Sequence, residues 1–405
     1  MVAPKLRFQE FDDAWNKKRL DSFLERISNP VDVVADQQYT QIGIRSHGKG
    51  IFHKGSIDGK ELGNKRVFWI EPNTLVVNIV FAWERAIAVT SDSEKGMIAS
   101  HRFPMYLPKN NLSNVNFLRY FFVTNKGQKY LELASPGGAG RNKTLGQSNF
   151  AELKIDLPSL KEQTKIANFL SAVDEKIAQL SQKLHLLGQY KQGMMQKLFY
   201  QQIRFKADDG SEFGEWEIQP LNHYLYTSKL KNKDLTYTKY DVLSVSGEFG
   251  IVNQINLLGR SYAGVSVAPY GIVEVNDVVY TKSPLKSNPY GIIKVNQGKA
   301  GIVSTLYAVY KCKENIIPKL IEYYFQNDSK LNQLLKPLVK KGAKNDMKVN
   351  NDHVLTGKIS FPASLEEQTK IANFLSAIDQ KIDVVSEQLK QAKIWKKGLL
   401  QQMFV

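Results

Sequence analysis

The chain has 405 residues, and its 55 Lys and Arg residues outnumber its 39 Asp and Glu residues, which gives a formal charge of +16 at neutral pH. Its hydrophobic fraction of 42% and charged fraction of 23% are typical of globular proteins and exclude disordered, collagen-like and disulfide-scaffold classes, while its length predicts two or three domains. A single cysteine, the lack of any run of about 18 apolar residues, and charges too close to the amino terminus for a signal peptide predict a cytoplasmic protein.

The first predicted element is a mixed globular segment, residues 1–157, which carries a net charge of +6. Short β-branched runs such as 74–80 alternate with Gly, Asn and Pro turns and predict strands, and an apolar stretch near 114–133 predicts a helix. Residues 137–144 resemble a phosphate-binding loop, but Asn142 stands where a P-loop requires glycine. We therefore do not expect nucleotide hydrolysis. The alternatives are a basic loop that approaches a phosphodiester backbone and a mobile surface loop.

A long helix is predicted next, after Pro158, because apolar residues recur in alternating steps of three and four over about five heptads. This period is typical of a coiled-coil seam, and Lys191 occupies the position at which the apolar series is interrupted. The seam residues of this helix that we single out are Ile166, Leu170, Val173, Ile177, Leu180 and Leu184.

The second globular segment is also basic, since residues 200–360 again carry a net charge of +6. Strand-like runs at 272–275, 278–280 and 301–310 precede a predicted helix near 318–336. Asn288-Pro289-Tyr290 resembles the Asn-Pro-Pro-Tyr signature of amino-methyltransferases, but one proline and the companion Phe-x-Gly-x-Gly motif are missing, so we interpret it as a turn. The histidines have no metal-ligand spacing, which favours a binding protein over an enzyme.

The last predicted element is a second copy of the long helix, since residues 367–377 repeat residues 162–172 without a change. The similarity extends to 21 identities in 40 positions between 160–199 and 365–404, which indicates an internal duplication. Lys396 falls at the same place in the series as the lysine of the first copy. The corresponding seam residues are Ile371, Leu375, Ile378, Ile382, Val385 and Leu389.

Two heptad seams in one chain admit two arrangements. Each helix can pack on its own globular segment, or the two copies can pair with each other. The matching interruptions favour pairing, and a duplicated unit of globe and helix closes by a pseudo-two-fold axis, which makes the helices antiparallel. We therefore predict an α+β fold with two similar globular domains that are separated by two long helices forming an antiparallel coiled coil.

The globular segments repeat more weakly than the helices. Arg7 and Trp15 have counterparts in Arg204 and Trp216, whereas most other residues differ. The framework therefore recurs while the surface diverges. The predicted boundaries are 1–157 for the first domain, 158–200 for the first helical spacer, 201–361 for the second domain and 362–405 for the second spacer.

This order of globe, Glu-Gln-x-x-Ile-Ala-x-Phe-Leu helix, globe and repeated helix resembles the specificity subunit of type I restriction-modification systems over the whole chain. The two copies depart from each other by one residue in the spacing between the proline and the Glu-Gln pair. The first copy of the motif comprises Leu157-Pro158, Glu162-Gln163, Ile166-Ala167, Phe169-Leu170, Asp174 and Lys176-Ile177. The second comprises Phe361-Pro362, Glu367-Gln368, Ile371-Ala372, Phe374-Leu375, Asp379 and Lys381-Ile382.

The resemblance implies that the globes are target recognition domains, each reading one half of a two-part double-stranded DNA sequence. It implies that the helices act as a spacer and dock two methyltransferase subunits. S-adenosylmethionine, ATP and magnesium are then expected on the methyltransferase and restriction-translocase partners, whereas this chain needs no cofactor, metal, catalytic residue or membrane. The rival hypotheses are a stand-alone DNA-modifying enzyme and a coiled-coil scaffold without a nucleic-acid role.

Recognition of DNA needs cationic side chains for the phosphates and polar side chains, different in the two domains, for the bases. Arginine can pair with guanine, and asparagine or glutamine with adenine, in the major groove. In the first domain the candidate DNA-binding residues are Arg45, Ser46, His47, Lys49, Arg141, Asn142, Lys143 and Thr144. In the second they are Ser246, Glu248, Lys282, Ser283, Lys286, Lys340, Lys341, Lys344 and Asn345.

Overall fold

A computed structural model describes residues 3–138, 143–341 and 347–404 of the chain. Its contacts divide the chain into two compact units. Unit 1 comprises Met1–Gln182 and Ser386–Val405, and unit 2 comprises Lys183–Val385. Each unit therefore contains one globular segment and a part of each of the two long helices.

The globular segment of unit 1 consists of short strands interspersed with short helices. Its strands are β1 (Asn16–Arg19), β2 (Leu24–Ile27), β3 (Gln38–Ile44), β4 (Ile51–Asp58), β5 (Val67–Trp69), β6 (Leu75–Val77), β7 (Ile87–Val89), β8 (Ile98–Ser100), β9 (Met105–Pro108) and β10 (Lys154–Leu157). Its helices are α1 (Gly59–Leu62), α2 (Val115–Val123), α3 (Asn125–Leu133), α4 (Gln147–Glu152) and the long α5 (Leu160–Phe199), which continues into unit 2.

Unit 2 has the same kind of composition. Its strands are β11 (Glu217–Pro220), β12 (Leu225–Thr227), β13 (Leu243–Ser246), β14 (Gly250–Asn253), β15 (Gly271–Val273), β16 (Val278–Thr281), β17 (Ile293–Val295), β18 (Gly301–Val303), β19 (Tyr307–Cys312), β20 (Lys340–Lys341), β21 (Met347–Lys348) and β22 (Lys358–Phe361). Its helices are α6 (Gln254–Leu258), α7 (Pro318–Phe325), α8 (Asp328–Leu335), α9 (Asn351–Val354) and the long α10 (Leu365–Gln402), which continues into unit 1.

The two units share one strand topology. In unit 1, β1 pairs with β10, and two four-stranded sheets have the orders β2-β9-β6-β7 and β4-β3-β8-β5. In unit 2, β11 pairs with β22, and one four-stranded sheet has the order β12-β19-β16-β17. Two further pairs of strands, β13-β14 and β15-β18, correspond to β3-β4 and β5-β8 of unit 1. The parallel pairing of Gln41 with Ile98 recurs as a bridge between Val242 and Ile302. The predicted α+β class and duplicated framework are confirmed.

Each of the short helices predicted in the globes is in fact two helices. The region 114–133 is α2 followed by α3, because Thr124 ends the first helix and its Oγ1 accepts the Gly127 amide hydrogen of the second at 3.0 Å. The region 318–336 is α7 followed by α8, and Asn327 caps α8 in the same way. Apolar content predicted the helices, but the polar caps decided where each one starts.

In unit 1 the end of α10 packs on the start of α5. The carbonyl of Gln402 accepts the Leu6 amide hydrogen at 2.9 Å, and the residue after Leu6 binds Glu162 in the first turn of α5. Farther along, the rings of Trp395 and Phe169 lie 5.9 Å apart. Because α10 ends where α5 begins, these two segments run antiparallel within the unit.

In unit 2 the roles of the helices are exchanged. The ring of Phe199, at the end of α5, lies 6.5 Å from Trp216, whose indole N–H donates to Glu367 in the first turn of α10 at 3.2 Å. Farther along, Lys191 Nζ lies 2.6 Å from Asp379 Oδ1. The segments of the two helices again run antiparallel, and they share one hydrophobic core with the globe.

Both arrangements considered for the seam therefore occur together, since each helix packs on its own globe and on the other helix within one unit. The seam residues Ile177, Leu184 and Ile382 are partly buried. The other predicted seam residues are buried, namely Ile166, Leu170, Val173, Leu180, Ile371, Leu375, Ile378, Val385 and Leu389.

The Glu-Gln pair of the repeated motif anchors each helix to its globe. Glu162 is buried and accepts bonds from Arg7 Nε and Nη2, both at 2.8 Å, and from the Trp15 indole at 3.2 Å. Gln163 is buried as well, and it donates to the carbonyl of Pro158 at 2.9 Å. The same bonds recur in unit 2 among Arg204, Trp216, Pro362, Glu367 and Gln368.

The two lysines that interrupt the seams form ion pairs rather than extending into solvent. Lys396 binds Asp174 in unit 1, and Asp174 also accepts a hydrogen bond from Tyr120 at 2.8 Å. Burial raises the pKa of the Tyr120 hydroxyl to about 12, so the hydroxyl stays protonated and donates. Lys191 binds Asp379 in unit 2, with Tyr323 as the corresponding donor at 2.7 Å. The interruption of each seam is therefore a paired polar contact.

Replacing Lys191 with Met should destabilise unit 2 by about 1–3 kcal/mol, because the partly buried carboxylate of Asp379 loses its cation. The double variant Lys191→Met/Asp379→Asn should regain most of this loss, since asparagine can still accept from Tyr323 without a charge. Urea unfolding of the three proteins measures both effects. A double variant that is no more stable than the single one would contradict the ion-pair interpretation.

Candidate nucleic-acid interface

The turn between β3 and β4 in unit 1 carries the first set of predicted DNA-binding residues. Ser46 Oγ donates to Glu84 Oε2 at 2.7 Å, and the His47 amide donates to the Glu84 carbonyl at 2.7 Å. Gly48 has φ +66°, and a Cβ at this position would lie 2.7 Å from Val123 Cγ1, so only glycine fits without strain. The turn is thus held against the 3₁₀ turn that contains Glu84.

The held turn presents Arg45, His47 and Lys49 to solvent, whereas Ser46 is engaged with the protein. The second predicted segment comes to the same place, because Lys143 Nζ lies over the Trp83 ring, 5.6 Å from its centre. Two stretches that lie about a hundred residues apart in sequence therefore meet beside one 3₁₀ turn. Of the other residues in the second segment, Thr144 is exposed, while Arg141 and Asn142 lie outside the described residues.

Sequence reasoning missed further cations around this turn. Arg85 has φ +63°, and its Nε is buried without a hydrogen-bond partner among the described residues. Lys126, at the start of α3, and Lys393 and Lys397, near the end of α10, line a cleft together with Arg85. One signal could have identified the last two, since the first copy of the helix has Gly188 and Gln192 at the matching positions.

In unit 2 the turn between β13 and β14 carries two predicted residues. Ser246 Oγ accepts the amide hydrogens of Glu248 and Phe249 at 3.2 and 3.1 Å, so it shapes the turn. Glu248 is exposed and lines a cleft of about 700 Å³ together with Asn288. Because Ser246 has a structural contact, Glu248 is the member of this pair that is available to a partner.

Lys282, Ser283 and Lys286 follow β16. Lys282 Nζ is half-buried and donates to Asn351 Oδ1 at 3.4 Å, and burial, together with the charge of Lys231, lowers its pKa. Ser283 is partly buried, whereas Lys286 is exposed. Lys286 is therefore the residue of this segment that is most open to a phosphate.

The last predicted segment begins in the two-stranded ribbon of β20 and β21. Lys340 is exposed and pairs through its backbone with Lys348, and Lys341 occupies the next position of β20. Lys344 and Asn345 lie outside the described residues. The ribbon thus places at least one lysine on the surface of unit 2.

The methyltransferase-like tripeptide is part of the fold of unit 2. Asn288 is buried, and its Nδ2 donates to Asp328 Oδ1 at 2.9 Å. The Asn288 carbonyl accepts the Gly291 amide hydrogen at 3.0 Å, as expected for a turn. The asparagine side chain is therefore occupied by a structural contact.

The described parts of the chain contain no group of three or more His, Cys, Asp or Glu residues arranged to hold a metal ion. Within the same parts, no helix combines the length and the apolar character needed to cross a bilayer.

A family model described as the type I restriction modification DNA specificity domain matches residues 16–187 and 270–393. The two matched segments together span most of the chain, and they follow the duplication of globe and helix. Each copy of the duplicated framework thus has a match of its own.

Two relatives come from Methanocaldococcus jannaschii. The chain is 23% identical over 424 residues to one described as the MjaX specificity subunit of a type I restriction enzyme, and the match covers 98% of this chain and 94% of that one. It is 26% identical over 270 residues to the type I restriction enzyme MjaVIII specificity subunit, with 62% of this chain and 61% of the relative covered.

Two solved structures have a similar fold. The type I restriction-modification S subunit from M. genitalium matches with a TM-score of 0.58 and 14% identity, over 100% of this chain and 99% of that one. The HsdS subunit from Thermoanaerobacter tengcongensis matches with a TM-score of 0.52 and 17% identity, over 97% of each chain. At these identities the likeness concerns the fold.

Proposed function

Because the chain belongs to the type I restriction modification DNA specificity family, we propose that it selects the DNA sequence on which a multi-subunit methyltransferase and restriction enzyme acts. Each unit reads one half of a two-part double-stranded target, and the long helices dock two methyltransferase subunits. The observation that carries the proposal is the double family match on two units that share a topology and differ in their exposed loops.

The chemistry belongs to the partners in this proposal. Methyltransferase subunits hold S-adenosylmethionine, and restriction subunits hold ATP and magnesium, while this chain contributes sequence choice. Support comes from the methyltransferase-like tripeptide, whose Asn288 side chain is buried and bonded to Asp328 instead of facing a base. A stand-alone modifying enzyme is therefore not favoured.

Electrostatics supports DNA as the ligand. The chain carries a formal charge of +16, and lysine and arginine side chains gain affinity for DNA by releasing the counterions condensed on its phosphates. In unit 1, Arg45, His47 and Lys49 are exposed on a turn that the surrounding structure holds in place. A held turn suits base reading, because its backbone is already ordered and loses less conformational entropy when the turn meets the DNA.

Sequencing of DNA methylation in a host that carries this gene and its methyltransferase partners tests the proposed function. A methylated two-part sequence that disappears when only this gene is deleted supports it. The purified chain mixed with DNA and S-adenosylmethionine should leave the DNA unmethylated. Methylation by the chain alone would establish the rival enzyme hypothesis.

Replacing Lys340, Lys341 and Lys344 with Ala should weaken DNA binding by the assembled complex and flatten its dependence on salt. Each lost phosphate contact lowers the slope of log K against log salt by about one unit, so the loss for three contacts is about three. Fluorescence anisotropy at a series of salt concentrations measures the slope.

The charge-matched control replaces Lys183, Lys381 and Lys390 with Ala. These lysines are exposed on α5 and α10, away from the predicted DNA-binding segments in sequence. The control removes the same charge and should keep a slope close to that of the parent protein. An equal slope for the ribbon variant and the parent would show that the ribbon lysines do not contact phosphates.

A further inference from the structure

A cleft of about 450 Å³ lies in unit 1 between the last turns of α10 and the junction of α2 with α3. No aspartate or glutamate lines it among the described residues. The cationic side chains that line the cleft are Arg85, Lys126, Lys393, Lys396 and Lys397. Like charges in one concavity repel one another, and an anion bound among them reduces this repulsion.

Part of this charge has no partner within the protein. Lys126 lies 3.3 Å from Asp156, and Lys396 binds Asp174. Lys393 and Lys397 are exposed. Neither lysine forms an ion pair with the described residues, because no carboxylate oxygen of those residues lies within 4.0 Å of its Nζ.

Arg85 adds a buried donor that is not satisfied. Its Nη1 donates to the Val123 carbonyl at 3.3 Å, but its Nε has no hydrogen-bond partner among the described residues. A buried donor without a partner is unfavourable, and Arg85 is one of the residues that line the cleft. The left-handed backbone at Arg85, with φ +63°, is a further sign of strain at this position.

The first turn of α3 faces the same cleft. Thr124 accepts the Gly127 amide hydrogen at 3.0 Å, and the amide groups of Asn125 and Lys126 precede the first possible helical hydrogen bond. The positive end of the helix dipole therefore adds to the field of the lysines and Arg85.

The corresponding cleft of unit 2, of about 440 Å³, keeps one of these cations, Lys191, which matches Lys396. Gly188 and Gln192 stand at the positions of Lys393 and Lys397, and Ser329 stands at that of Lys126. Asp328 replaces Asn125, so the chain itself supplies a carboxylate to the amino-terminal end of α8. Unit 1 has no acidic residue at the corresponding position in the first turn of α3.

We propose that the cleft of unit 1 binds a phosphate group, and, resting on the proposed function, that this phosphate belongs to the DNA backbone. The Ser46–His47–Gly48 turn lies against the cleft wall, since the Gly48 amide donates to the Arg85 carbonyl at 3.0 Å. The cleft and the exposed residues of this turn therefore form one basic surface. A continuous basic surface suits a polyanion better than a single acidic peptide side chain.

Inorganic phosphate added to the full chain tests the cleft without DNA. Phosphate at ten times its dissociation constant should raise the Tm of the parent protein by about 3–6 °C relative to sodium chloride of equal ionic strength. The variant Lys393→Gln/Lys397→Gln should lose this rise, and Lys183→Gln/Lys390→Gln should keep it. Equal Tm values of the parent protein in phosphate and in chloride would overturn the proposal.

Asn125→Asp provides a second test of the cleft that leaves all of its lysines in place. It copies the residue of unit 2, and aspartate is favourable in the first turn of a helix, so the fold should be retained. The variant should be at least as stable as the parent protein in chloride and should gain nothing from phosphate. A full phosphate response in Asn125→Asp would overturn the assignment of the cleft.

The DNA arm uses the complex assembled with its methyltransferase partners. The variant Lys393→Gln/Lys397→Gln should lower the salt slope of binding by about two units and leave the recognised sequence unchanged. If the variant has lost phosphate binding but keeps the salt slope of the parent complex, the assignment of the phosphate to the DNA backbone is wrong. If the variant no longer assembles with its partners, the cleft instead binds an acidic protein partner. A parent complex without sequence preference would instead refute the proposed function.

Discussion

Exchanging residues 1–157 for the corresponding segment of another member of the family should change one half of the methylated sequence and leave the other half intact. Each mismatched base pair typically costs about 1–3 kcal/mol, so methylation of the original half-site should fall below detection. The reciprocal exchange of residues 201–361 should change the other half. Methylome sequencing of hosts that carry each chimaera measures both outcomes.

The structure sets a condition on the first exchange. The core of unit 1 includes Phe404, whose ring lies 5.2 Å from Phe117, and the anchor includes the bonds from Arg7 and Trp15 to Glu162. The donor segment should therefore supply equivalent residues, and a thermal unfolding curve confirms that the chimaera is folded. A folded chimaera that changes both half-sites, or neither, would refute the hypothesis that each globular domain recognises one half-site independently.

The second large effect is expected from Glu367→Ala, which should destabilise unit 2 by about 3 kcal/mol or more. The Glu367 side chain is only 1% exposed, and its loss leaves Arg204, 19% exposed, without its ion partner and Trp216 without its acceptor. Breaking a buried ion pair in this way typically costs about 3–5 kcal/mol. The Tm should fall by roughly 6–12 °C.

The neighbouring Glu366→Ala serves as the control, because Glu366 is exposed and its pair with Lys370 lies on the surface. Such surface pairs typically contribute about 0–1 kcal/mol. Glu162→Ala should reproduce the large effect in unit 1, and hydrogen exchange assigns each loss to its own unit. Similar stability of the Glu366 and Glu367 variants would contradict the anchoring role.

The helices show how far local patterns reach. Steps of three and four residues predicted α5 and α10, and the identical stretches 162–172 and 367–377 predicted an internal duplication. The pattern did not predict that Lys191 and Lys396 are held by Asp379 and Asp174. Heptad periodicity identifies which face is buried, but it carries no information about the charge that faces it.

The globes show the same limit. Apolar content predicted helices near 114–133 and 318–336, but the caps Thr124 and Asn327 divide each into two. In unit 1 this division creates the helix start at Asn125 that lines the basic cleft. A cap is visible in sequence as a single polar residue, and the apolar pattern around it masks that signal.

The sequence by itself determined the α+β class, the internal duplication, the two long helices and the resemblance to specificity subunits. These features follow from residue periods and repeats, which are local in the chain or depend on identity alone. Only the tertiary structure decided that the turn at Arg45–Lys49 meets Lys143 beside Trp83, and that Lys126 shares a cleft with Lys393. Residues so far apart in sequence leave no mutual local signal, because packing of the globe on the helix ends is what brings them together.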